Sequence, residues 1–220
     1  MNLDNQVERE ISLAAVKQNG RILIYNPAFY QYQQERDFLL AAVQSYGNAL
    51  SLTTHDSSFL CAPRRFVGWR HRLTPTHHSN NSNKKRQELN KNDKEIVKAA
   101  VKNNAFSLAY ASENLKNDRE IVMLAIQQDG AALQLASEHL KNDREIVMEA
   151  IQHAGYSLQF ASESLKNNRE VVMTAIQNNE FSLQFAPESL RNDKEVVMTV
   201  VQKNAHELDH ASKSLRMIEI

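Results

Sequence analysis

Apolar residues in the C-terminal half of the chain recur at a spacing that is typical of an amphipathic helix. In the segment that begins at Asn92, four apolar residues occupy positions i, i+1, i+4 and i+5 of one such helix. They are Ile96, Val97, Ala100 and Val101. These positions share one face of an α-helix, and the polar residues between them fall on the other faces. The pattern therefore predicts a helix that buries a single stripe of side chains.

This helix recurs four more times without an insertion. The further copies begin at Asn117, Asn142, Asn167 and Asn192. A spacing of 25 residues, repeated in succession, is the signature of a tandem repeat. In each copy a shorter second helix is predicted to follow, and a turn then returns one leucine to the core. In the third copy these elements carry Leu158, Ala161 and Leu165.

Residues at the two ends of the repeated helix also favour this structure. The Asn that opens each copy is predicted to be the N-cap, and the Glu three residues later is predicted to complete a capping box, as with Asn142 and Glu145. Gly130 and Gly155 fall where the helix should end, and a glycine in the left-handed conformation commonly ends a helix. Each copy therefore has a predicted start and a predicted stop.

Aromatic, methionine and charged side chains recur at fixed positions of the repeat. The aromatic residues are Phe106, Tyr110, Tyr156, Phe160, Phe181 and Phe185, and the methionines are Met123, Met148, Met173 and Met198. Because both sets recur with the fold itself, we predict that the aromatic residues pack in the core and the methionines between repeats. Recurring charged residues, such as Arg119 with Glu120, are predicted to form solvated ladders on the surface.

One copy is too short to bury a core by itself, so the copies must be stabilised by stacking on their neighbours. Two degenerate copies precede the clear ones, with apolar stripes over residues 10–16 and 37–43. The predicted fold is all-α, an α-solenoid of about seven two-helix repeats of about 25 residues, of which the first two are degenerate. Residues 1–53 hold the degenerate repeats, 54–91 form an irregular basic insertion and polar linker, and 92–220 hold five tandem repeats with a C-terminal cap.

Composition narrows the classes of function. The 220 residues include 26 basic and 26 acidic side chains, so no overall charge draws the chain to nucleic acid or to a membrane. The single cysteine, Cys61, cannot form an internal disulfide, which favours a reducing cytoplasm. The N-terminal residues lack the basic start and apolar core of a secretory signal, and no apolar run approaches the length of a membrane span.

Basic residues are concentrated between residues 64 and 86, where seven occur and no acidic residue does. The candidate anion-binding residues are Arg64, Arg65, Arg70, Arg72 and Trp69. Arginines interleaved with an aromatic ring can bind the phosphates of RNA or the headgroups of acidic lipid. The simpler interpretation is an insertion that closes the second repeat and continues as a polar linker rich in Ser, Asn, Thr and His.

Residues 206–210, His-Glu-Leu-Asp-His, match the HExxH motif, in which two histidines bind zinc and the glutamate is the general base. The repeat register argues against this role, because His206 and His210 occupy positions that are apolar or aromatic in earlier copies. Few residues follow that could supply a third ligand, and a terminal repeat needs a polar outer face. We therefore predict a C-terminal cap, with no metal and no cofactor.

Positions that differ between copies are better candidates for recognition, since the fold does not dictate them. Three columns of such positions run through the repeats. The predicted partner-binding residues are Leu124, Glu149 and Thr174 in the first column, Gln128, His153 and Asn178 in the second, and His139 in the third. The partner is predicted to be a protein, and the pattern names neither that protein nor the oligomeric state.

The third copy reads Leu-Lys-Asn-Asp-Arg-Glu-Ile-Val-Met over residues 140–148, followed by Gly-Tyr-Ser-Leu at 155–158 and Ala-Ser-Glu at 161–163. This pattern resembles the helical repeat family known as domain of unknown function 4116, closely over residues 92–215 and loosely over residues 7–53. The family is typical of effector proteins of intracellular bacteria. The resemblance therefore implies a bacterial protein that acts in a host cell, and it implies no activity.

The chain contains no Gly-rich phosphate loop, no Cys-His pair and no Ser-centred nucleophile elbow. The sequence therefore predicts a non-catalytic protein-interaction scaffold in the cytoplasm, possessing no cofactor and no transmembrane segment. The first alternative is a binder of RNA or acidic lipid through residues 64–86. The second alternative is a zinc hydrolase that uses the motif at residues 206–210.

Overall fold

The computed structural model describes residues 3–33, 35–53 and 90–204. Every regular element in these ranges is an α-helix or a 3-10 helix, and they contain no strand. The described residues divide into two compact units, of which the first comprises 3–33, 35–53, 90–103 and 110–112, and the second comprises 104–109 and 113–204. The all-α prediction is therefore confirmed.

The first unit contains the two degenerate repeats and the first clear long helix. Its α-helices are Leu3–Gln18, Arg21–Tyr25, Arg36–Ser45 and Lys94–Asn103, and its 3-10 helices are Pro27–Tyr32 and Gly47–Thr53. Phe38 and Leu39 are fully buried at its centre, and the Phe38 ring stacks on Tyr32 with centroids 4.3 Å apart. The first degenerate repeat differs from the others, because an α-helix rather than a 3-10 helix follows its long helix.

The second unit repeats one three-part motif with the 25-residue period of the sequence. Its long α-helices are Arg119–Ile126, Arg144–His153, Arg169–Asn178 and Lys194–Lys203. The 3-10 helices Gly130–Leu135, Gly155–Phe160 and Glu180–Phe185 each follow one of the first three long helices. The 3-10 helix Ala105–Tyr110, of which residues 105–109 belong to this unit, precedes the first. One-turn α-helices then close each copy, at Glu113–Lys116, Glu138–Lys141, Glu163–Lys166 and Glu188–Arg191. The fold is thus a helical repeat solenoid, in which the predicted second helix is a 3-10 helix.

The apolar stripe of each long helix forms the core. In the helix Arg144–His153 the stripe residues Ile146, Val147, Ala150 and Ile151 are all 0% exposed. The 3-10 helix adds a second buried face with three residues per turn, so that Gly155, Leu158 and Ala161 align. Each copy therefore buries two narrow apolar faces.

The aromatic residues are not all in the core, and this prediction was wrong. Phe106, Tyr156 and Phe181 are 39%, 37% and 48% exposed, whereas Tyr110, Phe160 and Phe185 are half-buried. The prediction assumed α-helical spacing around Leu158. In a 3-10 helix the residue after the glycine lies on a different face from Gly155, Leu158 and Ala161, so its side chain reaches the surface.

The predicted capping box was also wrong, because each long helix starts one residue later. Asp143 is the N-cap of the third copy, and its Oδ1 accepts the N–H groups of Glu145 at 3.0 Å and Ile146 at 3.2 Å. Asn142 instead ends the preceding one-turn helix, with φ −100° and ψ −2°. An N-cap needs extended backbone, as Asp143 has with φ −81° and ψ 115°.

The glutamate that was assigned to the capping box binds an arginine of the preceding repeat. Arg169 donates to Glu195 at 2.6 Å and Arg144 lies 2.6 Å from Glu170, and Arg119 binds both Asp143 and Glu145. In the first unit, hydrogen bonds to Asp93 and then Glu95 raise the pKa of Arg36 above its usual value. The surface ladder therefore runs between copies, from each arginine to the N-terminus of the next long helix.

The one-turn helices of successive repeats are joined at their ends. Ser162 donates its backbone N–H to the carbonyl of Lys141 at 2.9 Å and its Oγ–H to Oδ1 of Asn142 at 2.6 Å. Ser137 makes the equivalent bonds to Lys116 and Asn117, at 3.0 Å and 2.6 Å. Asn117 and Asn142 thus serve this junction and not the cap of the long helix.

Pro187 interrupts this series, because proline has neither an N–H group nor a hydroxyl. Its backbone, at φ −64° and ψ 158°, matches that of Ser162 at φ −61° and ψ 155°. Pro187→Ser is therefore expected to restore both hydrogen bonds and to raise the free energy of unfolding by about 1 kcal/mol, after the entropic loss from removing a proline. Urea denaturation followed by circular dichroism measures this change.

The reverse substitution, Ser162→Pro, is the matched control and should destabilise the array by a larger amount, since both bonds are lost at a junction between two fully packed copies. A Pro187→Ser variant that unfolds at a lower urea concentration than the wild type would contradict the assigned role of the serine.

The prediction that the glycines adopt a left-handed conformation was wrong. They are needed instead where two copies of the repeat approach each other closely. Neither Gly130 nor Gly155 has a φ in the left-handed region. A Cβ on Gly130 would lie 2.3 Å from the carbonyl oxygen of Ala150, and a Cβ on Gly155 would lie 2.7 Å from that of Ala175. The missing side chain lets the 3-10 helix of one copy approach the long helix of the next.

Candidate functional site

The first variable column lies on the long helices and is half-buried. It contains Leu124, Glu149 and Thr174. The Thr174 hydroxyl donates to the backbone carbonyl of Glu170 at 2.9 Å, within its own helix. The Glu149 carboxylate lies 3.4 Å from Nε2 of His153, one turn further along the same face. The first column is therefore only partly accessible, and Glu149 connects it to the second column.

The second variable column is exposed and lines one open recess. Three of its members, Gln128, His153 and Asn178, come from three successive copies and lie at or just beyond the C-terminal ends of the long helices. The recess has a volume of about 450 Å³. Its other lining residues are Asp129, Gly130, Gln152, Ala154, Gly155, Tyr156 and Asn179. The structure thus brings together side chains that are 25 residues apart in the sequence.

His139, the predicted residue of the third column, is not part of this recess. It is exposed on the one-turn helix Glu138–Lys141. In the same column Ser164 donates its hydroxyl to Oδ1 of Asn142. The third column therefore lies on a separate set of helices, where at least one member supports the junction between copies.

The walls of the recess are held by caps of the 3-10 helices. Oδ1 of Asp129 accepts the N–H of Ala131 at 2.9 Å, and Oδ1 of Asn179 accepts the N–H of Phe181 at 3.0 Å. The middle copy has Ala154 at this position and therefore no side-chain cap. The backbone of Ala154, with φ −153° and ψ 102°, nevertheless matches that of its capped neighbours.

The lining is polar with little charge. It contains the four carboxamides of Gln128, Gln152, Asn178 and Asn179, together with one carboxylate, one imidazole and one phenol ring. Lysine and arginine are absent from it. Because a carboxamide both donates and accepts hydrogen bonds, these side chains can pair with the N–H and C=O groups of an extended peptide.

The predicted site did not include four of the lining residues, Asp129, Gln152, Tyr156 and Asn179. Gln152 occupies a position that is Gln in four successive copies, so it does not belong to a variable column. Tyr156 was assigned to the core because the 3-10 helix was taken for an α-helix. A period of three residues, applied to this segment of the sequence, would have predicted that Tyr156 is exposed.

A second recess lies within the first unit, where the first clear long helix meets the second degenerate repeat. It has a volume of about 460 Å³ and includes Gln44, Lys98 and Asn103 in its lining. Nδ2 of Asn103, the first-copy member of the second column, donates to the carbonyls of Val43 at 2.8 Å and Gln44 at 3.0 Å. Here the column residue is used to join two copies.

The other predicted sites lie outside the described residues. These are the basic segment with Arg64, Arg65, Arg70, Arg72 and Trp69, and the motif with His206 and His210. Both stay predictions. Within the ranges that the structure describes, no group of three or more His, Cys, Asp or Glu residues is placed to hold a metal ion. In those same ranges, no helix is long and apolar enough to cross a membrane.

Comparison with known proteins identifies the repeat. The family model described as Domain of unknown function (DUF4116) matches four overlapping segments, residues 93–141, 118–166, 143–191 and 168–216. Together they cover more than half of the chain, and their starts advance by one 25-residue period. No curated protein and no solved structure matches. The chain therefore belongs to the DUF4116 family, as its repeated motif indicated.

Proposed function

We propose that this chain is a non-catalytic scaffold that binds a protein partner through the recess of the second column. One observation carries the proposal: three exposed side chains that vary from copy to copy line a single concave surface. They are Gln128, His153 and Asn178. Variation at these positions changes the chemistry of the recess without changing the buried stripes, which is how a repeat protein acquires specificity.

The polar lining supports an extended polypeptide segment as the bound form. Its carboxamides can satisfy the backbone groups of such a segment, which must keep hydrogen bonds when they leave water. The exposed ring of Tyr156, at the edge of the same surface, supplies apolar contact. A solenoid forms an extended concave binding surface, so a longer segment can contact several copies.

The combined substitution of Gln128, His153 and Asn178 by alanine tests the proposal. Losing about three hydrogen bonds of about 1 kcal/mol each should weaken partner binding about a hundredfold. Partners are first identified by pull-down and mass spectrometry with the wild-type chain, and dissociation constants are then compared for both proteins. Circular dichroism should show an unchanged fold, because none of the three side chains is buried.

A matched control replaces Asn114, His139 and Ser189 by alanine. These residues are also exposed, one per copy, but they lie on the one-turn helices. The control should bind the partner as the wild type does. If the control loses the partner and the recess variant keeps it, the interaction surface is the third column and our assignment of the recess is wrong.

The place of action is part of the proposal. The single cysteine supports a reducing cytoplasm. The family resemblance supports an effector that is delivered into a host cell. Fractionation of infected cells, with detection of the tagged chain in the host cytosol, tests this location.

A further inference from the structure

The recess is lined by the C-terminal ends of long helices. The helix Arg144–His153 ends there with Gln152 and His153, and the helix Arg169–Asn178 ends there with Asn178. The last four carbonyl groups of an α-helix have no partner within the helix, and they carry a partial negative charge. Groups with N–H donors, and cations above all, are favoured at such an end.

In the next pair of copies, a lysine ammonium group binds the C-terminal end of the preceding long helix. Nζ of Lys203 donates to the backbone carbonyl of Gln177, the residue before the last of the preceding long helix. Lys203 is the fifth-copy member of the second column. One repeat earlier, the equivalent residues are Asn178 and Gln152, and both line the recess.

The first unit contains the same arrangement with a neutral donor. Asn103 donates to the carbonyl of Gln44, which is also the residue before the last of a long helix. The column position is therefore one from which a side chain repeatedly reaches the preceding helix end. Within the described part of the chain, Asn178 makes no such bond to Gln152, and both residues line the recess.

The charges of the recess complement a cation. Asp129 is its one carboxylate, and its Oδ1 accepts a single backbone N–H, which leaves acceptor capacity on the carboxylate. The Glu149 carboxylate lies beside His153. The ring of Tyr156 can also contact a cation through its face. Lysine and arginine are absent from the lining, so the imidazole of His153 is its one basic side chain.

We infer that the recess binds a lysine side chain of the partner segment, with its ammonium group at the carbonyl of Gln152 and near the carboxylate of Asp129. This inference rests on the proposed function and adds the chemistry of the partner. It makes the partner a polypeptide with an exposed lysine, and it makes binding weaker at high salt, because screening reduces the attraction between the two charges.

The test is a titration of the ¹⁵N-labelled full chain, followed by amide chemical shifts. The probe is the peptide Ser-Gly-Lys-Gly-Ser, compared with the same peptide carrying Nε-acetyl-lysine and with free spermidine. The lysine peptide should shift the amides of Gln152, His153 and Asn178, and the acetylated peptide should bind at least roughly tenfold more weakly. Equal binding of the two peptides, or spermidine binding tighter than the peptide, overturns the inference.

Asp129→Asn is a matched variant that removes the charge and keeps the cap. Asn104 and Asn179 already cap their 3-10 helices through Oδ1 at 3.0 Å, so this substitution should leave the unfolding curve unchanged. It should weaken binding of the lysine peptide roughly fivefold to tenfold.

Asn178→Lys should abolish binding of the lysine peptide. The new ammonium group can donate to the carbonyl of Gln152, as Lys203 donates to that of Gln177. Unchanged binding in both variants overturns the inference.

The experiments distinguish a failure of the proposed interaction site from a failure of the proposed lysine binding. If the acetylated peptide binds as well as the lysine peptide while the triple alanine variant still loses the partner, the recess is an interaction site with a different chemistry. If the triple variant keeps its partner while lysine binding depends on Asp129, the cation site exists and the partner binds elsewhere.

Discussion

Ile151→Ala is expected to lower the free energy of unfolding of the array by about 2–5 kcal/mol, the usual cost of a cavity in a packed core. Ile151 is 0% exposed, and it lies in a middle copy with neighbours on both sides. The rigid helices around it can close only part of the space that the substitution leaves. Urea denaturation of the full chain, monitored by circular dichroism, measures the change.

A matched pair of valines shows whether burial is the cause of the lost stability. Val101 and Val201 occupy the same position of the repeat, but Val101 is 0% exposed and Val201 is half-buried. Val101→Ala should destabilise the chain clearly more than Val201→Ala, which should cost less than about 1 kcal/mol. Equal costs at both positions would show that the burial of the side chain does not determine its contribution to the stability.

Gly130→Ala is expected to lower the free energy of unfolding by about 1–3 kcal/mol, the usual cost of overpacking. The added Cβ would lie 2.3 Å from the carbonyl oxygen of Ala150, so one copy must move away from the next. The sign of this change shows whether the added Cβ can be accommodated. Where the backbone can accept it, replacing glycine by alanine stabilises a protein by about 0.4–1 kcal/mol through the unfolded state.

The same position in another copy provides the control. Glu180 occupies the position of Gly130 and already has a Cβ, so Glu180→Ala should change the stability by no more than about 0.5 kcal/mol. A stabilising effect of Gly130→Ala would show that the two copies can separate without loss, and it would contradict close approach as the reason for this glycine. Thermal unfolding of both variants beside the wild type distinguishes these results.

Some of the fold is readable in a single copy of the repeat. Ile146, Val147 and Ala150 were predicted to share a buried face, and all three are 0% exposed. This prediction succeeds because the spacing of apolar residues along one helix is a local property. The period of 25 residues is equally direct, since it requires only that the same pattern recurs.

Other predictions failed because they depended on hydrogen-bond register. The choice between Asn142 and Asp143 as N-cap is a choice between two adjacent residues with nearly the same capacity, and the end of the preceding one-turn helix decides it. The exposure of Tyr156 follows from three residues per turn instead of 3.6. Neither fact can be obtained from the spacing of apolar residues, because both structures bury Leu158.

The candidate site, too, was only partly predictable from the sequence. The variability of Gln128, His153 and Asn178 is visible in the aligned copies. Only the tertiary structure shows that these side chains line one recess with Gln152 and Asp129. Residues 25 positions apart become neighbours only when the copies stack, and the distance between copies depends on contacts such as that of Gly130 with Ala150, which no single copy contains.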